Sequence, residues 1–278
     1  MKSFTFTVHG LGKTFEYLFK HFGTDPAPFK KNKPLSEFVL DNAEHLSKDK
    51  LRKLKSWCRT GVEAQINSLE QEMENWIINK KRTDSIKPKA GEILLFSTVY
   101  DFDEAWKQAI GEQNDIRGYR CFGANGYYND RSKLAFVETK AGDTLVFWYT
   151  RKRKPIDLYK EAVDNIKDIK LAHSKDEIIL PFIDFEEGKK DYGLAGWKIT
   201  ELTEIVYCTY DNWFFLDNNG AKARSITRTM AKTKGARRPV VKPKRIVFNK
   251  PFAAAVFEKD AEYPAIVSFC DKDCWIKK

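Results

Sequence analysis

Ten basic side chains lie between Asn218 and Arg245, namely Lys222, Arg224, Arg228, Lys232, Lys234, Arg237, Arg238, Lys242, Lys244 and Arg245, and no carboxylate falls anywhere in 218–257. Their number equals the net charge of the whole chain, +10. Cations at that density would neutralise several phosphates or sulfates, which makes nucleic acid or another polyanion a candidate partner held in a salt-sensitive way. The stretch has no aromatic residue on which a base could stack. Its second property is alternation: Ala221, Ala223, Ser225, Thr227, Thr229 and Ala231 interleave with Lys222, Arg224, Ile226, Arg228, Met230 and Lys232. An extended backbone puts every small side chain on one face. Slipping the register by one residue would bury the four cations of the other face, each at a cost of several kcal/mol, so a strand made from this segment has one register.

Other reactive residue types form no comparable pattern. Gly10-Leu11-Gly12-Lys13-Thr14 resembles the end of a phosphate-binding loop, but that motif needs a glycine five residues before Gly12, and Thr7 stands there. The five cysteines, Cys58, Cys121, Cys208, Cys270 and Cys274, are an odd number without framework spacing, and the four histidines are scattered. Cys270 and Cys274 lack a second ligand pair, so no metal site is expected. Nor does any nucleophile and base show recognisable spacing. The chain reads as a non-enzyme without a cofactor.

With 278 residues, 42% of them hydrophobic and 14% aromatic, the chain can bury a sizeable core. Leu11, Phe15, Leu18, Phe19 and Phe22 repeat at helical spacing up to Pro26 and Pro28. The spacing predicts a second helix capped by Ser47 and carrying Leu51, Leu54, Trp57 and Cys58, and a third over 62–77. Strands are expected over 93–100, 134–138 and 144–149, the last two joined at Ala141-Gly142-Asp143. A helix with Ile156, Ala162, Val163, Ile166 and Ile169 inward follows, then strands over 177–185, 205–216, 245–257 and 265–269. The order implies one α+β domain over 1–278. The N-terminus has no signal-peptide core and no segment reads as membrane-spanning, so a cytosolic, thiol-reduced protein is expected, without membrane contact.

The segments flanking the basic stretch resemble the C-terminal third of the serpin family. Leu216-Asp217-Asn218-Asn219-Gly220-Ala221-Lys222-Ala223 looks like the turn from a main-sheet strand into the reactive-centre loop, here about 218–245, and Phe248-Asn249-Lys250-Pro251-Phe252 like the return signature. Phe257-Glu258-Lys259 and 264–269 continue the likeness, with Ser268 at a usual glycine. The run 93–102 leading to Trp106 resembles the family's central strand, and Glu74-Asn75-Trp76-Ile77 its sheet-crossing helix. Thr98, Asp103-Glu104 and Tyr210 stand where Asn, Lys-Gly and His are usual, and residues 1–65 look divergent or reduced.

The resemblance implies a serpin-type α+β fold with a main mixed sheet, smaller sheets, surrounding helices and a mobile loop. It implies an inhibitor that a trypsin-like serine protease attacks as a suicide substrate. The small face would then be the hinge and insertion face: Gly220, Ala221, Ala223, Ser225, Thr227, Thr229 and Ala231. Counting from Gly220 to the family's usual scissile bond reaches Lys234-Gly235, with Arg237 or Arg238 as alternative bait, since an acidic specificity pocket requires a cation. The other reading is a non-inhibitory protein of the same fold that binds polyanions or nucleic acid through the basic loop.

Overall fold

The computed structural model describes residues 2–22, 26–48, 51–61, 71, 93–169, 176–188, 190–225 and 244–278. Period-two burial builds its largest element. In β15 (Phe252–Phe257), Phe252, Ala254 and Val256 join one hydrophobic cluster, while Ala253, Ala255 and Phe257 join another. A strand covered on both faces has no polar side, which explains the unbroken apolar run. Around it forms a nine-stranded sheet from β1 (Phe4–Phe6), β4 (Ala109–Gln113), β5 (Cys121–Asn129), β6 (Leu134–Glu138), β7 (Thr144–Trp148), β8 (Asp176–Pro181), β14 (Arg245–Val247), β15 and β16 (Ile266–Cys270). Its order is β1-β16-β15-β7-β6-β5-β8-β14, with β4 paired to β5.

One face of this sheet carries α1 (His9–Phe22), α2 (Lys33–Lys48) and α3 (Pro155–Ile169), which contribute Leu11, Phe15, Val39, Leu46 and Tyr159 to the shared core. The other face packs on a five-stranded sheet in the order β2 (Leu54–Gly61), β3 (Ile93–Ala105), β13 (Gly220–Ser225), β12 (Asn212–Leu216), β9 (Ile183–Glu186). A short pair, β10 (Lys190–Asp191) with β11 (Thr209–Tyr210), stands apart.

Several sequence expectations are corrected. The second helix is α2, with Pro34 in its first turn, where a missing N–H costs nothing. Leu54, Trp57 and Cys58, expected on a helix, lie in β2, which pairs along β3 from Leu54 opposite Tyr100 to Gly61 opposite Ile93. Apolar spacing over so few residues does not separate the two states, and pairing covers a central strand's edge. The run 177–185 divides after Pro181 between the two sheets. The run 245–257 breaks at Asn249-Lys250-Pro251 into an outer parallel strand and a central antiparallel one. Only 212–216 of the expected 205–216 strand joins the five-stranded sheet; Thr209 and Tyr210 turn away to β10. The predicted helix over 62–77 lies outside the described residues.

β5 carries no strand signature, because Gly123 and Gly126 read as turn residues. A Cβ on Gly126 would lie 2.2 Å from the Phe136 carbonyl oxygen, so this crowded crossing of neighbouring strands requires glycine.

Candidate functional site

The Asp217-Asn218-Asn219 turn before Gly220 is held from within. Asp217 Oδ1 accepts the backbone N–H groups of Asn219 at 2.7 Å and Gly220 at 2.9 Å, a side-chain mimic of a turn. The buried Trp106 fixes the same turn from β3: its backbone N–H donates to the Asn219 carbonyl at 3.0 Å, and its indole N–H to the Asp217 carbonyl at 2.7 Å. Its ring stacks on Phe122 with centroids 5.8 Å apart.

Gly220 then enters the sheet where β3 comes closest. A Cβ there would lie 2.2 Å from the Glu104 carbonyl oxygen and 2.9 Å from the Ala105 Cα. From this seat β13 runs antiparallel between β3 and β12, with Gly220 opposite Ala105, Ala223 opposite Phe102 and Phe214, and Ser225 opposite Tyr100 and Asn212. Ala221 and Ala223 are fully buried in the core between the sheets, whereas Lys222 points to solvent and pairs with Asp103 at 2.9 Å. That pair, exposed on both sides, contributes little stability. It does show how a cation sits in β13 without burial. Thr227, Thr229, Ala231, Lys234, Gly235, Arg237 and Arg238 lie outside the described residues.

Beneath this end of the sheet is an ionic group that sequence reasoning missed. Glu258, 2% exposed, accepts the backbone N–H groups of Arg52 at 2.5 Å and Lys53 at 3.0 Å and the Arg52 Nε at 3.1 Å. Fully buried Asp143 accepts from Arg52 Nη2, from Lys53 Nζ at 2.8 Å and from the Lys259 N–H at 3.0 Å. Lys53 also reaches Glu104 on β3 at 2.5 Å and lies 4.1 Å from the Phe102 ring centroid. Burial lowers the Lys53 pKa, opposed by its hydrogen bond to Glu104. The partners are far apart in sequence, so no local pattern announces them. Asp143→Asn should cost about 2 kcal/mol, the penalty for weakening buried charge-assisted bonds while keeping the shape; equal urea midpoints for variant and parent would refute this.

The remaining motifs have structural places. Gly10 and Gly12 lie inside α1, and a Cβ on Gly12 would meet Leu46 Cβ at 2.4 Å, so Gly12 permits close packing of α1 on α2 and no phosphate loop forms. Cys121, Cys270 and Cys274 are buried free thiols, and burial pushes the Cys208 thiol up to about 12. Among the described residues no group of three or more potential ligands could hold a metal ion, and no helix is long and apolar enough to cross a membrane.

A strand between β3 and β12, over a nine-stranded sheet backed by helices, defines a class of fold that solved structures share. The thermophilic serpin tengpin in its latent state is 13% identical, with a TM-score of 0.56 over 100% of this chain and 92% of its own. Cleaved Serpin 42Da is 9% identical, with a TM-score of 0.56 over 97% and 91%. Mouse protein-Z dependent protease inhibitor is 11% identical, with a TM-score of 0.52 over 97% and 90%. No family model and no curated protein sequence matches the chain. The chain has the serpin fold, of the α+β class.

Proposed function

We propose that this chain is a serpin-type inhibitor of trypsin-like serine proteases, with Lys234-Gly235 as the bait bond and Arg237 or Arg238 as the alternatives. The observation that carries the reading is β13: the start of the basic stretch already forms a central strand, with its small side chains inward. Extending its register down β3 sets Ile226 opposite Val99 and Lys232 opposite Ile93, the first residue of β3. Thr227, Thr229 and Ala231 would then follow Ala221 and Ala223 on the buried face. The cations would then take the solvent face, as Lys222 does, so that the basic segment would be no obstacle to insertion.

The protease's serine oxygen would attack the Lys234 carbonyl carbon. The bond to the Gly235 nitrogen breaks, Gly235 leaves as a protonated new amino terminus, and Lys234 remains as an ester on the enzyme. The freed loop then follows the hinge into the sheet, gaining on the order of 1 kcal/mol net per hydrogen bond and drawing the enzyme with it. Because β12 begins at Asn212, opposite Ser225, further insertion is one-sided unless Thr209 and Tyr210 give up their pairing with β10 and Ile205 its bonds to Gly196 and Trp197.

Incubation with trypsin and a denaturing gel tests this directly. A stable covalent band is expected from the parent and should vanish with Lys234→Glu, which would put an anion against an acidic pocket. Two clean fragments and no band would sink the inhibitory reading. Unchanged bands in Lys234→Glu, Arg237→Glu and Arg238→Glu alike would remove all three from the role of bait.

A further inference from the structure

Registers in the nine-stranded sheet bring one set of strand ends together. Leu134 lies opposite both Asn129 and Trp148, Trp148 opposite Ala253, and Phe252 opposite Cys270. The β5–β6 turn, the segment after β7 and the approach to β15 therefore share one rim. Arg131 comes from the first, Arg151, Lys152 and Lys154 from the second, and Lys250 from the third. All five are exposed, and none has a carboxylate at ion-pair distance among the described residues. Nearby Asp130 is already shared between Lys133 and Lys244. With strands about 4.8 Å apart, the cations span four strand ends, roughly 14 Å.

One large aromatic side chain stands in the same rim. Tyr149 is 42% exposed, two residues before the cation run that opens at Arg151. One face of its ring stacks on Phe248 at 5.1 Å and 29°, and its hydroxyl donates to the Val247 carbonyl at 3.1 Å. The ring is held rigidly with its other side toward solvent, at little entropic cost to a ligand that stacks on it.

We propose that this rim is a binding site for single-stranded nucleic acid, with Arg151, Lys152, Lys154, Arg131 and Lys250 along the phosphates and Tyr149 as a base-stacking platform. Cations tracking a backbone beside a fixed aromatic face are what sequence-tolerant binding to single strands requires. A sulfated polysaccharide would use the cations and leave the ring idle. The proposed site uses none of the cations of 222–238 and does not depend on protease inhibition.

The test uses the full chain and a fluorescein-labelled, mixed-sequence single-stranded DNA of about twenty nucleotides, followed by anisotropy across a salt series. Arg151→Ser/Lys152→Ser/Lys154→Ser should weaken binding at least tenfold and flatten the salt dependence by about two, from roughly 0.7 per phosphate contact. Tyr149→Leu should weaken it several-fold with the salt slope unchanged, while Tyr149→Phe, which keeps the ring, stays near the parent. Thermal melts of each variant establish that it is folded. A triple variant within twofold of the parent overturns the proposal. So does loss of binding confined to a variant with Lys232, Lys234, Arg237 and Arg238 changed to serine. If Tyr149→Leu is silent and a heparin-type oligosaccharide competes equally in parent and Tyr149→Leu, the rim is a sulfated-saccharide site and the nucleic-acid assignment fails.

Discussion

Replacing Gly220 by valine should drive the hinge out of the sheet and lower stability by roughly 3 kcal/mol, at the upper end of what overpacking costs. The reason is geometric. Any Cβ at this position falls 2.2 Å from the Glu104 carbonyl oxygen, which belongs to the backbone of a central strand and has no side-chain freedom with which to yield. Relief comes only if β3 bends or β13 leaves, and the second exposes Ala221 and Ala223 and breaks the ladders on both sides. Urea unfolding gives the stability change, and amide exchange at 221–225 tells the two routes apart, since departure of β13 removes its protection. A Gly220→Val protein with the parent's midpoint and protection would show that the seat is roomier than its contacts indicate.

Thr227→Arg should block insertion beyond the hinge, whereas Arg228→Thr should not. If the register of Gly220 with Ala105 and Ser225 with Tyr100 is extended, position 227 would face the core between the sheets and position 228 would face solvent. Arginine at 227 would then be buried without a partner, at a cost of several kcal/mol. Cleavage of the basic loop should raise the melting temperature of the parent and of Arg228→Thr, and the Thr227→Arg form should lose that rise. Equal behaviour of the two variants, or no rise in the parent, would leave the alternation without a structural purpose.

The parts of this fold visible in the sequence are those encoded locally. The hairpin of β6 and β7, the amphipathic α1 and α3, and the turn at Asp217 to Gly220 each carry their signal within a few residues. Likeness around Trp106 and Gly220 was enough to place β3 and β12 in one sheet. Hidden features depend on what lies across space. Residues 54–61 have helical spacing but border β3; Gly126 reads as a turn until the Phe136 carbonyl is seen beside it. Tyr210 continues an apolar run yet leaves the sheet to meet Lys190. The ionic group of Arg52, Lys53, Asp143 and Glu258 joins three distant segments, and no periodicity reports such an encounter.

The occupied slot between β3 and β12 also bears on how copies of this protein meet. A second copy carries the same alternating segment and could offer it to the same opening, a head-to-tail contact that does not close on itself and so propagates into chains of molecules. Over 100–105 and 212–216, however, the backbone groups facing that opening are already paired with the protein's own β13. The seated β13 thus leaves no free backbone edge over those residues for a second copy's segment to pair with, and Gly220, by allowing the closest approach, keeps that edge covered.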